Sequence, residues 1–574
     1  MVTERTAPSD GDGQPARTHK MPPCTNNLTT ALLMDTYQIT MAYAYWKNGT
    51  HERPAAFDLL FRKNPFAGEF TVFAGLEESL RFISNFKFTE EDIEYLRNEP
   101  VAKSMEPAFF ELLKTLNCDS LKVHAQQEGS VVFPRVPLLR VEGPLMIVQL
   151  IETTLLNLVN YASLVATNAA RHRLVAGNDA TLLEFGLRRA QGPDGGVSAS
   201  RYAYLGGFDA TSNLEAGRQF KIPVKGTHAH SYVQAHVGME DLKCDVSLPY
   251  SDGSNSCSDF KQLVLDSLEL LNREVRDQLP EHNRWGKTNE SELAAFTSYA
   301  LAFPNGFLAL VDTYDVLKSG VPNFLAVALA LKKCGYKPLG IRLDSGDLSY
   351  LSLRTREIFT KTQELLGASR AGGFSSFGIT ASNDIHEEVL HSLKQHGHAI
   401  TAFGIGTHLV TCLRQPALGC VYKLVEIDGA PRIKLSEDVE KVTIPGRKHA
   451  FRLYTQGGHA VVDVMLGADE PAPEVGQRIL CRHAFVASKR AYVQPACVEQ
   501  LHHLVWDGER GGVPNNIDVS LQAARQRCKE SIQMMRSDHL RYSNPTPYKV
   551  SVSEQLFNFI HKLWLENAPV GEIV

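Results

Sequence analysis

The sequence predicts an α/β fold, with an irregular (β/α) barrel and an α+β domain built from the N- and C-terminal parts of the chain. Between Glu184 and Thr407, short apolar runs repeatedly stop at polar clusters and helix-like stretches follow them. Such stops occur at residues 224–231, 308–315, 339–347, 379–384 and 401–407. This alternation is typical of parallel strands with helical crossovers. Because fewer than eight units are clear, we expect an irregular barrel.

The pattern changes near residues 150 and 418, and these changes set the predicted domain boundaries. Residues 27–150 mix helical spacing with short strand-like runs, which indicates an α+β domain. Residues 151–418 form the predicted barrel, with a polar, turn-rich insertion near 238–261 that we interpret as an exposed loop. Residues 419–574 open with a hairpin around an Asp-Gly turn. This β-rich and helical region is expected to pack on the N-terminal domain.

The first 26 residues are polar and rich in Pro, Gly, Ser and Thr. They contain no apolar signal core, and their acidic residues balance their basic ones, which argues against a transit peptide. We therefore predict a disordered tail over residues 1–26.

Composition restricts the class of protein. The 574 residues are 43% hydrophobic and 21% charged, which indicates a globular protein of more than one domain. A net charge of -5 offers no electrostatic basis for binding nucleic acid or an anionic membrane. No segment contains the roughly 18 uncharged apolar residues that a membrane span needs. The ten Cys are scattered without a C-x-x-C motif, which favours a reducing compartment, and we expect the cytosol.

Acidic residues follow two of the predicted strands. Because strand C-termini open on one face of a barrel, Asp312, Asp344 and Asp347 are expected to meet in a single polar mouth. Carboxylate oxygens suit Mg²⁺ (or Mn²⁺), which typically takes one or two of them together with substrate phosphates. Helix capping is the alternative interpretation of these aspartates.

Several arginines accompany the acids. Arg342 precedes Asp344 by two residues and points to the same side of the strand, where it can bind a ligand carboxylate or form a structural ion pair with Asp344. Arg188 and Arg189 stand before a Gly-rich loop, a combination that suits phosphate binding, although a solvated loop is the alternative.

Two further motifs point to phosphate chemistry. Gly404, Gly406 and Thr407 form a turn between a predicted strand and a predicted helix, where backbone N–H groups can bind phosphate. His228 and His230 would share one face of an extended segment. A histidine beside phosphates can accept a phosphoryl group. A buried, hydrogen-bonded histidine is the alternative, and zinc is disfavoured because no third ligand of the right type is evident.

From about Asn27 to the C-terminus, the chain resembles eukaryotic-type nicotinate phosphoribosyltransferases. The resemblance rests on nine motifs in order: MDTYQITMAYAYW, FDLLFRKNPF, EFGLRRAQGPDGG, YLGGFDATSN, GTHAHSYV, LVDTYDVLKSG, IRLDSGDL, SNDI and FGIGT. It implies a type II phosphoribosyltransferase fold and a homodimer with active sites near the subunit interface. The implied reaction joins nicotinate to 5-phosphoribosyl 1-pyrophosphate and gives nicotinate mononucleotide and pyrophosphate. ATP, as co-substrate, assists through a transient phosphohistidine in this first step of NAD synthesis from nicotinate.

The resemblance also implies roles for individual residues. Three positions are expected to be catalytic: His230 as the phosphorylated residue, Arg342 and Asp344. The expected substrate-binding positions are Tyr37, Thr227 and Arg342 for nicotinate, Gly404, Gly406 and Thr407 for the phosphoribosyl phosphate, Arg188 and Arg189 for the phosphate-rich site, and Ser231 and Asn383. The expected metal positions, next to pyrophosphate, are Asp312, Asp344 and Asp347. The stretch 238–261 does not align with the family pattern.

Other functions compete with this interpretation. A nicotinamide phosphoribosyltransferase would need the same phosphate-binding residues, but it needs no cation for a substrate carboxylate. A Mg²⁺-dependent barrel lyase or isomerase would explain the aspartates, but it leaves His230 and the FGIGT turn without a role. A non-catalytic scaffold would not require so many polar groups at strand ends.

Overall fold

A computed structural model describes residues 17–242 and 246–572. The chain divides into two compact units. Unit 1 comprises Met1–Asn168 and Arg414–Val574, and unit 2 comprises Ala169–Leu413. Unit 2 begins later than the predicted boundary at residue 151, because most of a long helix spanning Glu152–Ala176 belongs to unit 1.

The N-terminal part of unit 1 mixes short strands with helices. Its elements are β1 (Thr18–His19), α1 (Thr36–Lys47), β2 (Pro54–Phe61), β3 (Thr71–Val72), α2 (Leu76–Asn85), α3 (Glu90–Asn98), α4 (Pro107–Thr115), β4 (Lys122–Ala125), β5 (Val131–Val132), β6 (Leu139–Pro144), α5 (Leu145–Leu150) and α6 (Glu152–Ala176). Helix α3 starts at a capping box, in which the Asp92 amide donates to Thr89 Oγ1 (3.1 Å) and the Thr89 amide donates to Asp92 Oδ2 (2.8 Å).

Unit 2 alternates strands and helices. Its elements are β7 (Thr181–Glu184), α7 (Gly192–Leu205), β8 (Ala210–Thr211), α8 (Leu214–Phe220), α9 (His230–Gln234), β9 (Leu248–Pro249), β10 (Ser256–Cys257), α10 (Phe260–Glu274), α11 (Glu290–Ala302), β11 (Leu308–Leu310), α12 (Val321–Lys333), β12 (Gly340–Leu343), α13 (Leu348–Ala371), β13 (Gly378–Ala381), α14 (Glu387–His396), β14 (Ala402–Ile405) and α15 (Thr407–Thr411).

Six strands of unit 2 form one parallel sheet in the order β11-β12-β13-β14-β7-β8. At one edge, within the described residues, β11 pairs with β12 alone. At the other edge, Thr211 of β8 forms a single parallel bridge to Val224. The mixed α/β class predicted from the sequence is therefore confirmed, and the hydrogen-bonded sheet spans six strands with two edges.

The predicted insertion near 238–261 contains the short antiparallel hairpin β9–β10. Residues 251–256 at its tip are exposed. Residues 243–245 of this stretch lie outside the described residues. Near the end of this stretch, the Asp259 side chain accepts the Gln262 amide and caps α10.

The C-terminal part of unit 1 is rich in strands. Its elements are β15 (Cys420–Ile427), β16 (Ala430–Pro431), β17 (Lys448–Tyr454), β18 (Ala460–Gly467), β19 (Ile479–Arg482), β20 (Arg490–Val493), β21 (Cys497–Gln500), β22 (His503–Asp507), β23 (Val513–Pro514), α16 (Leu521–Gln533), β24 (Lys549–Val552) and α17 (Glu554–Asn567). The predicted Asp-Gly hairpin is confirmed as β15–β16. Both turn residues have positive φ, 51° at Asp428 and 72° at Gly429, as a type I′ turn requires.

Strands from both ends of the chain share one sheet in unit 1. Its order is β16-β15-β2-β6-β4-β22, so the C-terminal strands β15 and β22 pair with the N-terminal strands β2 and β4. A second sheet, in the order β20-β19-β24-β18-β17-β21, comes from the C-terminal part alone. Pairing across the sequence explains why the two ends form one compact unit.

The prediction of a disordered tail through residue 26 is wrong for its last ten residues. Strand β1 pairs antiparallel with β23. His19 Nδ1 lies 3.0 Å from Asn515 Oδ1, and Met21 is buried. The backbone of β1 is thus satisfied by a strand from the far end of the chain, which local composition does not report. Residues 1–16 of the predicted tail lie outside the described residues.

A buried ion pair joins β17 to β18 in unit 1. Arg452 donates two hydrogen bonds of 2.8 Å to the Asp463 carboxylate, and these side chains are 3% and 0% exposed. Asp463 also accepts the Tyr548 hydroxyl at 2.9 Å, and Arg452 donates to the Val131 carbonyl at 2.9 Å. The two buried charges are therefore paired with each other and further hydrogen-bonded, as burial requires.

We expect Asp463→Ala to lower the free energy of unfolding of unit 1 by about 3–5 kcal/mol, because it leaves the buried Arg452 charge without its partner. Hydrogen exchange of the sheet amides in unit 1 measures this. The double variant Arg452→Met/Asp463→Leu is the control and should recover most of the loss, since it removes both charges. A loss below about 1 kcal/mol in Asp463→Ala would show that the pair does not hold the sheet together.

Candidate active site

A cavity of about 150 Å³ opens where four neighbouring strands of the unit 2 sheet end. Because β7, β12, β13 and β14 are parallel, their C-terminal ends lie at one edge of the sheet. The cavity is lined by Phe185, Arg188, Arg189, Arg342, Asp344, Ser382, Asn383, Asp384, Ile385, Gly404, Gly406 and Thr407. Segments from residue 185 to residue 407 therefore contribute to a single polar site.

Arg342 is the centre of the hydrogen bonding in this cavity. Its Nε donates to Ser382 Oγ at 2.7 Å, and its two terminal nitrogens donate to Thr227 Oγ1 at 3.1 Å and to Asp344 Oδ1 at 3.0 Å. Ser382 in turn donates to Asp344 Oδ1 at 2.6 Å. The guanidinium also lies 5.3 Å from the centre of the Phe185 ring. The ion pair with Asp344 is present, and the guanidinium still faces the cavity.

Two carboxylates face the imidazole of His230. Its Nε2 lies 3.7 Å from Asp344 Oδ2 and 3.9 Å from Asp312 Oδ1. On the other side of the ring, Nδ1 lies 3.0 Å from Thr313 Oγ1. The ring is 39% exposed, so a ligand can reach it. Asp312 is buried, and its Oδ2 accepts the Asp344 amide at 3.0 Å and the Ser345 hydroxyl.

Two of the acidic residues offer carboxylate oxygens that a metal ion could use. In the described part of the chain, no group of three or more His, Cys, Asp or Glu is arranged to hold a metal ion. Asp312 Oδ1 is buried without a hydrogen-bond partner, and it faces the same imidazole as Asp344 Oδ2. Two such oxygens fit a Mg²⁺ ion that arrives with substrate phosphates. Asp347 instead caps α13, where its Oδ1 accepts the Tyr350 amide at 3.0 Å.

The glycines of the FGIGT turn are required by close packing. A Cβ on Gly404 would lie 2.4 Å and 2.6 Å from two carbons of the Phe185 ring. A Cβ on Gly406 would lie 2.9 Å from the Phe185 carbonyl oxygen. The turn therefore packs directly on the residues that follow β7. Arg189 reaches across to it, with 3.4 Å between its guanidinium and Thr407 Oγ1.

A buried glutamate supports the arginine loop. Glu184, at the end of β7, is 1% exposed. Its Oε2 accepts the Ser200 hydroxyl at 2.7 Å and the Thr211 hydroxyl at 2.5 Å, and its Oε1 accepts the Gly186 amide. These contacts fix the turn that leads to Arg188 and Arg189.

The structure brings most of the predicted site residues together. The cavity lining includes Arg188, Arg189, Arg342, Asp344, Asn383, Gly404, Gly406 and Thr407. Thr227, His230 and Asp312 contact members of this group, and Ser231 follows His230 in α9. Tyr37 lies in unit 1 near the start of α1 and is 44% exposed.

Sequence reasoning missed Phe185, Asp384 and Ile385 of the lining, and it missed three residues that support the functional side chains. Thr313 contacts His230, Ser382 bridges Arg342 and Asp344, and Glu184 supports the arginine loop. Thr313 and Ser382 stand inside polar clusters that were recognised, at 308–315 and 379–384, but their partners are distant in sequence. No local signal distinguishes Glu184 from an ordinary strand residue.

A second buried carboxyl, Glu292, lies behind the Asp312 loop. It is 0% exposed, and its Oε2 accepts the Ser319 hydroxyl at 2.6 Å and the Asn323 amide at 3.0 Å. The pKa of Glu292 is raised to about 7, mainly by burial and also by the charges of Asp312 and Asp315, while the two hydrogen bonds act in the opposite direction. Glu292 is therefore partly protonated near neutral pH.

We expect Glu292 to make the protein less stable as pH rises from about 4.5 to about 7. In this window the unfolded chain ionises the carboxyl while the folded chain keeps it protonated, so the free energy of unfolding falls. Glu292→Gln replaces the titrating carboxyl with a neutral amide. Between pH 5 and pH 8, its free energy of unfolding should rise by on the order of 2 kcal/mol relative to that of the parent chain. Urea unfolding of both proteins at these two pH values measures the difference. A difference that does not change with pH would contradict the assignment.

In the described residues, no helix is long and apolar enough to cross a membrane.

Comparison with known proteins agrees with the site. Family models for the nicotinate phosphoribosyltransferase N-terminal and C-terminal domains match residues 32–160 and 447–560. Nicotinate phosphoribosyltransferase 1 of Arabidopsis thaliana is 55% identical over 549 residues, covering 96% of this chain and 96% of that protein. Nicotinate phosphoribosyltransferase of Homo sapiens is 44% identical over 540 residues, covering 94% and 97%.

A solved structure gives the same result. The crystal structure of human nicotinic acid phosphoribosyltransferase superposes with a TM-score of 0.82 at 41% identity, covering 93% of this chain and 100% of that one. The resemblance predicted from nine motifs is thus confirmed over nearly the whole length of the chain. On these grounds the chain belongs to the nicotinate phosphoribosyltransferase family, a family of enzymes.

Proposed function

We propose that this enzyme joins nicotinate to 5-phosphoribosyl 1-pyrophosphate, giving nicotinate mononucleotide and pyrophosphate in the first step of NAD synthesis from nicotinate. The observation that carries the proposal is the cavity at the sheet edge, where a guanidinium, two further arginines and a Gly-rich turn meet two carboxylates and a histidine. High identity to proteins named for this reaction supports it.

Arg342 is the proposed anchor of the nicotinate carboxylate. Its contacts with Ser382, Thr227 and Asp344 use three of the five N–H donors of a guanidinium, so donors remain for a ligand. The Phe185 ring lies against the same guanidinium, and an aromatic ring is a suitable surface for a pyridine ring. A carboxylate anchor favours nicotinate over the uncharged nicotinamide.

Arg188, Arg189 and the turn around Thr407 are the proposed site for the phosphates of the second substrate. The arginines supply charge, and the close approach of Gly404 and Gly406 to Phe185 keeps the turn next to them. Asn383 lies in the same lining and Ser231 follows His230. The pyridine nitrogen forms a bond to the anomeric carbon as the bond to pyrophosphate breaks, so the chain has to position both substrates and neutralise charge.

Mg²⁺ (or Mn²⁺) is the proposed metal. Asp312 and Asp344 would hold it together with pyrophosphate, and Asp347 has a capping contact besides its proposed part in this site. When bound, the ion would neutralise the charge of the leaving group. A preference for Mg²⁺ follows from a ligand set made of oxygen atoms alone.

His230 is the proposed phosphorylated residue, with ATP as the phosphoryl donor. The two carboxylates beside Nε2 favour a proton on that nitrogen, which leaves the Nδ1 lone pair as the acceptor. A bond from Nδ1 to the γ-phosphorus then forms as the bond to ADP breaks. Thr313 contacts Nδ1 in this structure and would have to release it.

Two further proposals rest on the family resemblance, and a third rests on the sequence alone. The unit 2 sheet forms one side of an irregular (β/α) barrel. The enzyme is a homodimer in which Tyr37 stacks on nicotinate. The cytosol is the expected compartment, because the ten cysteines of the sequence are scattered without the spacing of a disulfide framework.

The first test is product formation from labelled nicotinate and 5-phosphoribosyl 1-pyrophosphate with Mg²⁺, with and without ATP. We expect nicotinate mononucleotide, formed faster with ATP, and we expect His230→Ala to lose the acceleration by ATP because it lacks the phosphoryl acceptor. Turnover of nicotinamide or quinolinate instead of nicotinate would rule out nicotinate as the substrate. No dependence on 5-phosphoribosyl 1-pyrophosphate would favour a lyase or isomerase. Labelled phosphate from ATP on the His230→Ala variant would rule out His230 as the phosphorylated residue.

Arg342→Ala should weaken nicotinate binding by roughly 10- to 150-fold, since a charge-assisted hydrogen bond is typically worth about 1.5–3 kcal/mol. Binding of labelled nicotinate measures this loss. Ser382→Ala is the matched control, because it removes one contact of Arg342 and keeps the guanidinium. Unchanged nicotinate affinity in Arg342→Ala, in a folded protein, removes Arg342 from this role.

A further inference from the structure

The edge strand β11 has a backbone donor that points away from the sheet. The Val311 amide donates to the Arg342 carbonyl at 3.1 Å, on the side of β12. Because amides alternate in direction along a strand, the Leu310 amide points to the opposite side. There it donates to Nε2 of His228 at 3.2 Å. A side chain thus occupies the position that a neighbouring strand would otherwise fill.

The His228 side chain is buried and held by aromatic packing at this position. It is 8% exposed, and its ring packs against Tyr232, Phe296 and Tyr299 with ring centres 5.6 Å, 5.9 Å and 5.0 Å away. Burial lowers the pKa of His228 to about 4, so the ring is neutral at pH 7 and Nε2 keeps its lone pair. A neutral imidazole whose Nε2 accepts a hydrogen bond carries its proton on Nδ1.

The hydrogen bond joins the two segments that form the histidine site. Leu310 lies two and three residues before Asp312 and Thr313, which face His230. His228 lies two residues before His230 in the other segment. The same segment is held at Thr227 by Arg342. The His228 contact is therefore a link from a side chain to the backbone, between β11, which precedes Asp312, and the segment that carries His230.

We propose that His228 is a positioning residue that fixes residues 227–230 against the sheet edge and so holds the His230 imidazole beside Asp312 and Asp344. The proposal rests on the proposed function in one respect, the phosphorylation of His230. His228 itself takes no part in the transfer.

The test compares three variants for transfer of labelled γ-phosphate from ATP to His230. His228→Leu removes the acceptor and should lower the phosphorylation rate at least about tenfold, because the Leu310 amide loses its buried partner. His228→Gln places an oxygen near the position of Nε2 and should stay within about threefold of the parent chain. Phe296→Leu is the matched control, because it trims the packing around His228 and leaves the hydrogen bond. It should phosphorylate like the parent chain.

Hydrogen exchange of the peptide that contains Leu310 gives a readout that does not depend on phosphorylation. We expect exchange to be faster in His228→Leu than in His228→Gln or Phe296→Leu. If His228→Leu does not fold, His228→Asn replaces it, since the shorter amide cannot reach the Nε2 position. Equal exchange and equal phosphorylation in the acceptor-lacking variant and the parent chain overturn the proposal. If ATP does not phosphorylate the parent chain, the proposed phosphorylation of His230 is wrong. Hydrogen exchange of the Leu310 peptide alone then decides whether His228 is a positioning residue.

Discussion

Arg342 carries a full charge inside an apolar strand, and the active site is organised around the need to compensate it. A buried charge is tolerated only when it is paired and hydrogen-bonded. Here the compensation comes from Ser382 just after the next strand, from Asp344 after the same strand and from Thr227 on a segment outside the sheet. Asp344 in turn is tied to Asp312 through its backbone amide. Pairing one charge therefore brings together the ends of several segments and forms the cavity.

Two of the buried groups behind the cavity carry little or reduced charge near neutral pH. His228 is neutral because burial lowers its pKa, and Glu292 is partly protonated because burial raises its pKa. Each holds a backbone or side-chain donor in place by hydrogen bonding. Near neutral pH, His228 therefore adds no buried charge close to Arg342, Asp312 and Asp344, and Glu292 adds only a partial one.

In unit 1, buried contacts join two distant parts of the chain. Lys448 on β17 forms a buried ion pair with Asp58 on β2, and Arg452 reaches the Val131 carbonyl from the same strand. Such contacts stabilise the unit only as complete sets, because removing one partner leaves a buried charge. The backbone hydrogen bonds between β15 and β2, and between β22 and β4, likewise form only when both parts of the chain are in place.

The sequence by itself determined the features that depend on local spacing. Apolar runs that end in polar clusters predicted the parallel strands of unit 2, and the Asp-Gly pair predicted the β15–β16 hairpin. The side of the strand shared by Arg342 and Asp344 allowed their ion pair as one of two interpretations. Only the tertiary structure decided the partners that lie far apart in sequence. Thr313 against His230, the His228 contact with the Leu310 amide and the pairing of β1 with β23 are of this kind. Local patterns report which face a side chain takes, whereas partner choice depends on packing between distant segments.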